Sequence, residues 1–161
     1  MHLSNNRIFK NTRFQWLSRV PADWGIVPLK RIATLQTKKA NTKQFNVGLE
    51  HIQSHTSKFI DAETDFSGEG VAFRRNDILF GKLRPYLAKI WLADRQGEAV
   101  GEFFVLRVKE EFDPAYLKYH LLARDVIAAI DGSTYGAKMP RAGWDFVSML
   151  AVCTPPIEEQ Q

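Results

Sequence analysis

Two short basic segments contain the residue types that proteins use to contact nucleic acids. The first places Lys82, Arg84 and Tyr86 on a connection between two predicted strands, bent by a glycine and a proline. The second follows a predicted helix and carries Lys138 and Arg141, three positions apart. An Arg side chain can donate two parallel hydrogen bonds to a guanine edge, whereas Lys and Tyr can bind phosphate. The two segments therefore predict DNA contacts. The alternative interpretation is two solvent-exposed turns, with the stems of Lys82 and Arg84 packed on the sheet.

Positive charge is concentrated near the N-terminus. Residues 1–43 contain nine Lys or Arg and one acid, whereas residues 44–161 contain thirteen Lys or Arg and seventeen acids. A basic segment on one side of a folded domain indicates a polyanionic partner. For residues 1–20 the alternative is a disordered, solvated basic arm. The predicted phosphate contacts outside the two loops are Lys38, Lys39, Lys43, Arg74 and Arg75.

No arrangement of residues predicts catalysis. His51 and His55 are four positions apart, but they lie in a predicted strand-to-turn segment with no cysteine ligand nearby. Cys153 lies in an apolar run without an evident base partner and is interpreted as a core residue. The sequence contains neither a G-x-G-x-x-G motif nor a phosphate-binding loop. We therefore expect no catalytic residue, no metal site and no cofactor in this chain.

The elements that position the two loops predict an α+β fold. We expect a twisted antiparallel β-core or barrel-like sheet, because several short apolar segments are separated by Gly and Asp turns. Residues 93–97 predict the loop of a hairpin. One main helix is predicted at about residues 113–131, with short flanking helices, because Asp113 can cap it and Pro114 suits its first position. The apolar residues that recur there at helical spacing are Tyr119, Leu122, Val126 and Ile130.

Length and composition are those of one globular domain. The chain has 161 residues, of which 45% are hydrophobic and 25% charged. No apolar run approaches the length of a membrane span, and the N-terminus lacks the apolar stretch of a signal peptide. A single cysteine excludes an internal disulfide, so a cytoplasmic location is expected.

Several segments, taken in order, resemble the target-recognition domain of type I restriction–modification specificity subunits. The resemblance covers about residues 24 to 161, and its motifs include Asp77-Ile78-Leu79-Phe80-Gly81-Lys82-Leu83-Arg84-Pro85-Tyr86 and Pro155-Pro156-Ile157-Glu158-Glu159-Gln160. The other matching segments are residues 47–52, 87–89, 103–107, 116–117 and 136–141. Residues 1–22, in which Asn and Arg dominate, are predicted to be a basic leader. The resemblance implies a DNA target-recognition domain at 23–154 and the start of a truncated conserved helix at 155–161.

The resemblance also implies a role within a larger enzyme. Specificity subunits carry two such domains, separated by long helices, and each domain reads one half of a bipartite site in double-stranded DNA. The subunit is not catalytic: S-adenosylmethionine, ATP and Mg belong to the modification (methyltransferase) and restriction subunits. This sequence ends at Gln161, so we expect a truncated piece or a half-subunit, with a second recognition domain elsewhere. The rival hypotheses are a subunit-docking module whose basic surface meets acidic protein, and an enzyme domain with an unrecognised site.

Overall fold

Short strands arranged in four sheets make up most of the regular structure. The computed structural model describes residues 7–14, 18–42, 44–63, 69–134, 136 and 138–161. The strands are β1 (Phe9–Asn11), β2 (Arg19–Pro21), β3 (Gly25–Pro28), β4 (Ala33–Gln36), β5 (Lys39–Ala40), β6 (Asn46–Val47), β7 (Gly70–Phe73), β8 (Ile78–Gly81), β9 (Ile90–Leu92), β10 (Gly97–Ala99), β11 (Phe103–Val108) and β12 (Ala151–Thr154). The helices are α1 (Pro114–Leu122), α2 (Arg124–Gly132), α3 (Trp144–Val147) and α4 (Ile157–Gln160).

Strand β11 lies at the centre of the fold. It is an inner strand of the antiparallel sheet β4-β11-β8-β9, and the residues of β11 from Phe103 to Leu106 are all buried. Side chains alternate between the two faces of a strand. Phe104 and Leu106 accordingly join a core shared with α1 and α2, whereas Phe103 and Val105 join a second core shared with the sheet β5-β7-β10-β6. A strand buried on both faces therefore holds the two cores together.

The predicted α+β class is confirmed, and the sheets are open rather than closed into a barrel. Pairing is antiparallel except between β10 and β6, which are parallel. The prediction of a hairpin at residues 93–97 is wrong. Strand β9 pairs with β8, whereas β10 pairs with β7 and β6, so the connection crosses from one sheet to the other.

The predicted helix at 113–131 begins as expected but is divided. Asp113 accepts a hydrogen bond from the Ala115 N–H at 2.8 Å, yet Ala123, with φ −58° and ψ 136°, separates α1 from α2. Each helical residue advances about 100° around the axis, so on one straight helix Val126 would face away from Leu117. The break lets both residues enter the same core.

The apolar spacing predicted for the single helix is correspondingly wrong at one position. Tyr119 was expected on the buried stripe but is 66% exposed. Leu117 and Leu121, which the sequence pattern places on the adjacent stripe of the predicted helix, are the buried residues of α1. The division at Ala123 thus changes which face of each half meets the core.

The N-terminal region that was predicted as a leader contains regular structure. Strands β1 and β2 form a two-stranded antiparallel ribbon, and Val20 within it is buried. Strand β3 then pairs with β12, which brings the C-terminal part of the chain beside the N-terminal part. Within the described residues, no helix is both long and apolar enough to cross a membrane.

Candidate nucleic-acid interface

The two predicted basic loops lie side by side. The Arg84 N–H donates to the Pro140 carbonyl oxygen at 2.7 Å, and the Ala142 N–H donates to the Lys82 carbonyl oxygen at 2.8 Å. Leu83 and Arg141 form an isolated antiparallel bridge between these bonds. Backbone hydrogen bonds therefore fix the two segments against each other, although they are far apart in the sequence. We call residues 82–86 and 138–142 together the paired-loop surface.

The first loop is shaped by a close approach and by left-handed backbone. A methyl group added at Gly81 would lie 2.9 Å from Leu49 Cδ2 and 3.0 Å from the Lys89 carbonyl oxygen, so a larger residue here would require its neighbours to move. Arg84 and Ala88 have φ values of 51° and 47° and flank a short 3-10 turn at Pro85–Leu87. Left-handed backbone costs a non-glycine residue about 1–2 kcal/mol. The surrounding contacts must offset this cost to hold the loop in this form.

Three of the predicted site residues point to solvent from this surface. Arg84 and Lys138 are exposed, and Tyr86 is 44% exposed. None of these three side chains makes a hydrogen bond or ion pair with any other residue in the described part of the chain. A cation without an internal partner keeps its full charge for an external anion.

Of the other two predicted loop residues, Arg141 is bound by an acid that the sequence did not indicate, and Lys82 lies over an aromatic ring. Glu102 accepts from Arg141 Nη2 at 2.8 Å and from Arg141 Nε at 3.2 Å. The Arg141 guanidinium, mainly through its hydrogen bonds, holds the pKa of Glu102 below its ordinary value, and the Lys82 charge acts in the same direction. The Lys82 ammonium lies 5.2 Å from the centroid of the Phe104 ring. Lys82 and Arg141 are thus oriented by the protein itself.

Glu102 could have been found from the sequence only if the pairing of β8 with β11 had been known. Phe103 is paired with Gly81, and the same antiparallel register sets Glu102 opposite Lys82. The Lys82 N–H donates to the Glu102 carbonyl oxygen at 2.9 Å, which extends the ladder by one step. The two strands are distant in sequence, so no local pattern indicates the acid.

The predicted phosphate contacts outside the loops lie elsewhere on the molecule. Lys38 and Lys39 are exposed beside β7, where Lys39 is paired with Val71. Arg74 and Arg75 are exposed in the turn before β8, at the end of that strand opposite Lys82. Strand β8 alone separates the two ends by roughly 10 Å at about 3.3 Å per residue. The structure therefore does not bring these four cations to the paired-loop surface, and Lys43 lies outside the described residues.

Asp77 fixes the turn that carries Arg74 and Arg75. Its carboxylate accepts from Arg107 Nε at 3.0 Å, from Arg107 Nη2 at 2.8 Å and from the Arg74 N–H at 2.8 Å. The Asp77 side chain is only 3% exposed, whereas that of Arg107 is 32% exposed. The Asp77–Arg107 pair therefore anchors the turn to β11, while the side chains of Arg74 and Arg75 are exposed to solvent.

His51 and Cys153, both considered for chemistry, and His120 in α1 have structural surroundings. His51 is buried, with Nδ1 accepting from the Gly48 N–H and Nε2 within 2.9 Å of the Ala62 carbonyl oxygen. Burial lowers the pKa of His120 and raises the pKa of the Cys153 thiol to about 11. In the part of the chain that the structure describes, no three His, Cys, Asp or Glu residues are grouped to hold a metal ion.

Fold and surface together define an α+β domain that presents two paired basic loops at one end of a central sheet. The chain is 23% identical over 160 residues to the EcoDI type I restriction enzyme specificity subunit of Escherichia coli, an alignment covering 94% of this chain and 35% of that subunit. No family model matches the chain.

Solved structures show the same fold. The HsdS subunit from Thermoanaerobacter tengcongensis superposes with a TM-score of 0.68 at 22% identity, covering 88% of this chain and 40% of that one. A chain from a structure of a type I R-M system described for its complex assembly and conformational transition gives 0.71 at 19% identity, covering 87% and 40%. The type I restriction-modification S subunit from M. genitalium gives 0.58 at 15% identity, covering 99% and 38%.

These likenesses confirm the predicted resemblance to specificity subunits of type I restriction–modification systems. The fold of this chain is shared with part of each of these solved chains. The chain spans about a third of the length of the curated relative and 38–40% of the solved chains.

Proposed function

We propose that this chain is a DNA target-recognition domain that reads one half of a bipartite site for a type I restriction–modification enzyme. In this proposal the chain has no catalytic residue and no cofactor of its own, and it acts in the cytoplasm. Its partners are double-stranded DNA and the modification and restriction subunits, which bring S-adenosylmethionine, ATP and Mg. The division into a leader at 1–22, a recognition domain at 23–154 and the beginning of a helix at 155–161 is part of the same proposal.

The observation that carries the proposal is the joining of the two basic loops. Arg84, Tyr86 and Lys138 project from one surface whose backbone is fixed by the hydrogen bonds between Arg84 and Pro140 and between Ala142 and Lys82. A fork-shaped guanidinium on a fixed backbone suits base readout, and the neighbouring ammonium and phenol suit phosphate. The fixed backbone matters because contacts to base edges require the donor to be held in register with the DNA.

The remaining cations fit a second, weaker role. We assign Lys38, Lys39, Lys43, Arg74 and Arg75 to the phosphate backbone beyond the bases that the loops contact. A DNA duplex can reach both the paired-loop surface and the Arg74–Arg75 turn, because these lie at the two ends of β8, whereas one helical turn of DNA covers about 34 Å. Contacts of this kind add affinity that is independent of sequence.

Selection from random duplexes, followed by fluorescence anisotropy on the preferred duplex and a scrambled one, tests the proposal. Arg84→Ala is expected to weaken binding to the preferred duplex by about 1–3 kcal/mol and to weaken scrambled binding less. Arg31→Ala is the matched control, because Arg31 is exposed but lies near Ala33, which pairs with Val108 at the far end of β11.

Salt dependence separates this function from a subunit-docking module. Each phosphate contact contributes about 0.9 to the slope of log K against log salt. DNA binding by several cations therefore predicts a slope of several units. A chain that shows no preferred duplex and no salt-dependent affinity for DNA would instead support the docking alternative.

A further inference from the structure

A carboxylate lies inside the cationic paired-loop surface. Glu102 is 30% exposed and sits between Arg141, with which it shares two hydrogen bonds, and Lys82 across the β8–β11 ladder. An acid at a DNA-binding surface repels phosphate, so its presence there needs an explanation.

Glu102 opens onto a cleft of about 280 Å³ with an aromatic wall. Phe104 and Trp144 line one part of it, with their ring centroids 5.5 Å apart, and Gly101 and Gly143 leave its rim open. Arg84 and Lys138 are not among the residues that line this cleft. The paired-loop surface is therefore divided into an outer part with free cations and a cleft whose cations are offset by an acid.

We propose that the cleft receives the edge of a DNA base that carries an exocyclic amino group, and that Glu102 is a specificity-determining residue that accepts a hydrogen bond from it. In the major groove, the amino groups of adenine and cytosine are donors that a carboxylate can accept, whereas phosphate offers only acceptors. Glu102 thus favours a base over the backbone at this position. The inference rests on the proposed function, because it concerns how the same surface discriminates among sequences.

The geometry favours recognition over a purely structural role for Glu102. The loops are already joined by the two backbone hydrogen bonds that form the Leu83–Arg141 bridge, and neither bond uses the Glu102 side chain. Its carboxylate is only partly covered, so lone pairs remain within reach of a ligand in the cleft.

The test compares Glu102→Gln with Glu111→Gln in anisotropy titrations on the preferred and scrambled duplexes between 50 and 200 mM salt. Both substitutions remove one negative charge, and Glu111 is exposed beyond the opposite end of β11. For Glu102→Gln we expect tighter binding to the scrambled duplex and a salt slope steeper by about 0.9 for each phosphate newly admitted, equivalent to an additional loss of about 3.5-fold over this range. Because Gln keeps an amide oxygen that can still accept from an amino group, the acceptor itself is tested with Glu102→Met, for which the ratio of preferred to scrambled affinity should fall by roughly 5- to 150-fold.

A second variant and a stability measurement keep folding defects apart from recognition. Glu102→Asp retains the charge and should keep the salt slope of the parent chain. Equal weakening on both duplexes by Glu102→Met, with an unchanged slope and a lowered melting temperature, would make Glu102 a structural residue and overturn the inference. If the parent chain itself shows no duplex preference, or if Arg84→Ala has no effect, it is the proposed function that fails. If the parent chain shows a preference and Glu102→Met leaves it intact, this inference alone is refuted.

Discussion

Replacing Arg107 by Met, which breaks the pair with buried Asp77, should destabilise the domain far more than breaking the exposed Arg95–Asp94 pair. The substitution leaves the Asp77 carboxylate, 3% exposed, with the Arg74 N–H as its one remaining donor among those described here. Removing one partner of a buried pair costs about 3–5 kcal/mol, because the other charge stays buried without compensation. The Arg95–Asp94 pair is the control, since its side chains are 60% and 59% exposed, and Asp94→Asn should cost about 0–1 kcal/mol.

Urea denaturation followed by tryptophan fluorescence measures both changes. With an unchanged m-value, the shift in midpoint reports the change in the free energy of unfolding. For a chain of this size the expected loss in Arg107→Met lowers the melting temperature by about 6–20 °C. A loss within about 1 kcal/mol of that in Asp94→Asn would refute the reasoning, because it would mean that the Asp77 carboxylate is hydrated or reoriented in the variant.

Three further changes have outcomes fixed by local geometry. The pKa of Glu102 is lowered in the folded state, so its ion pair with Arg141 stabilises the domain above the unfolded pKa of about 4.3. This stabilisation is lost as the pH falls through the folded pKa. Urea titrations between pH 3 and 7 should therefore show the stability of Glu102→Gln approaching that of the parent at low pH. Gln160→Ala removes the acceptor of the Asp113 N–H at the start of α1 and should cost about 1–3 kcal/mol in the same assay. Gly81→Ala, which sets a methyl group against the Lys89 carbonyl oxygen, should cost about 1–3 kcal/mol and weaken DNA binding through the displaced first loop.

Gln160→Ala and Gly81→Ala each have a matched control in the chain. Gln161→Ala alters an exposed glutamine beside Gln160, and Gly101→Ala adds a methyl group that meets nothing within 4 Å. Both controls should leave the free energy of unfolding within about 0.5 kcal/mol of the parent value. A constant stability difference between Glu102→Gln and the parent at every pH would contradict the assigned role of that ion pair.

Local signals in the sequence predicted the features that depend on neighbouring residues. Asp113 and Pro114 mark the start of α1 because capping and a fixed φ act within one turn. The first basic loop lies between two strands, as expected, because Gly81 ends β8 and Pro85 begins a tight turn. The α+β class followed from such signals.

The features that sequence reasoning missed depend on contacts between distant segments. Residues 93–97 contain ordinary turn residues, and nothing local indicates that β9 and β10 belong to different sheets. The break at Ala123 is likewise set by the core, which both helices must face, since alanine itself favours helix. The two basic loops are joined by hydrogen bonds between segments far apart in the sequence. The position of Glu102 beside their cations follows from the register of β8 against β11.

That register explains how one strand supports both cationic regions. The pairing of Phe103 with Gly81 and of Leu106 with Ile78 places an acid opposite a base just beyond each end of the ladder. At one end Glu102 faces Lys82 beneath the paired-loop surface, and at the other Arg107 binds Asp77 beneath the turn that carries Arg74 and Arg75. The exposed side chains of Arg74, Arg75, Arg84 and Lys138 take no part in these pairs, so they can be replaced without altering the strands that hold them. A shift of one residue in the β8–β11 register would instead disrupt both regions together, because it would send the buried side chains of β11 to the wrong cores.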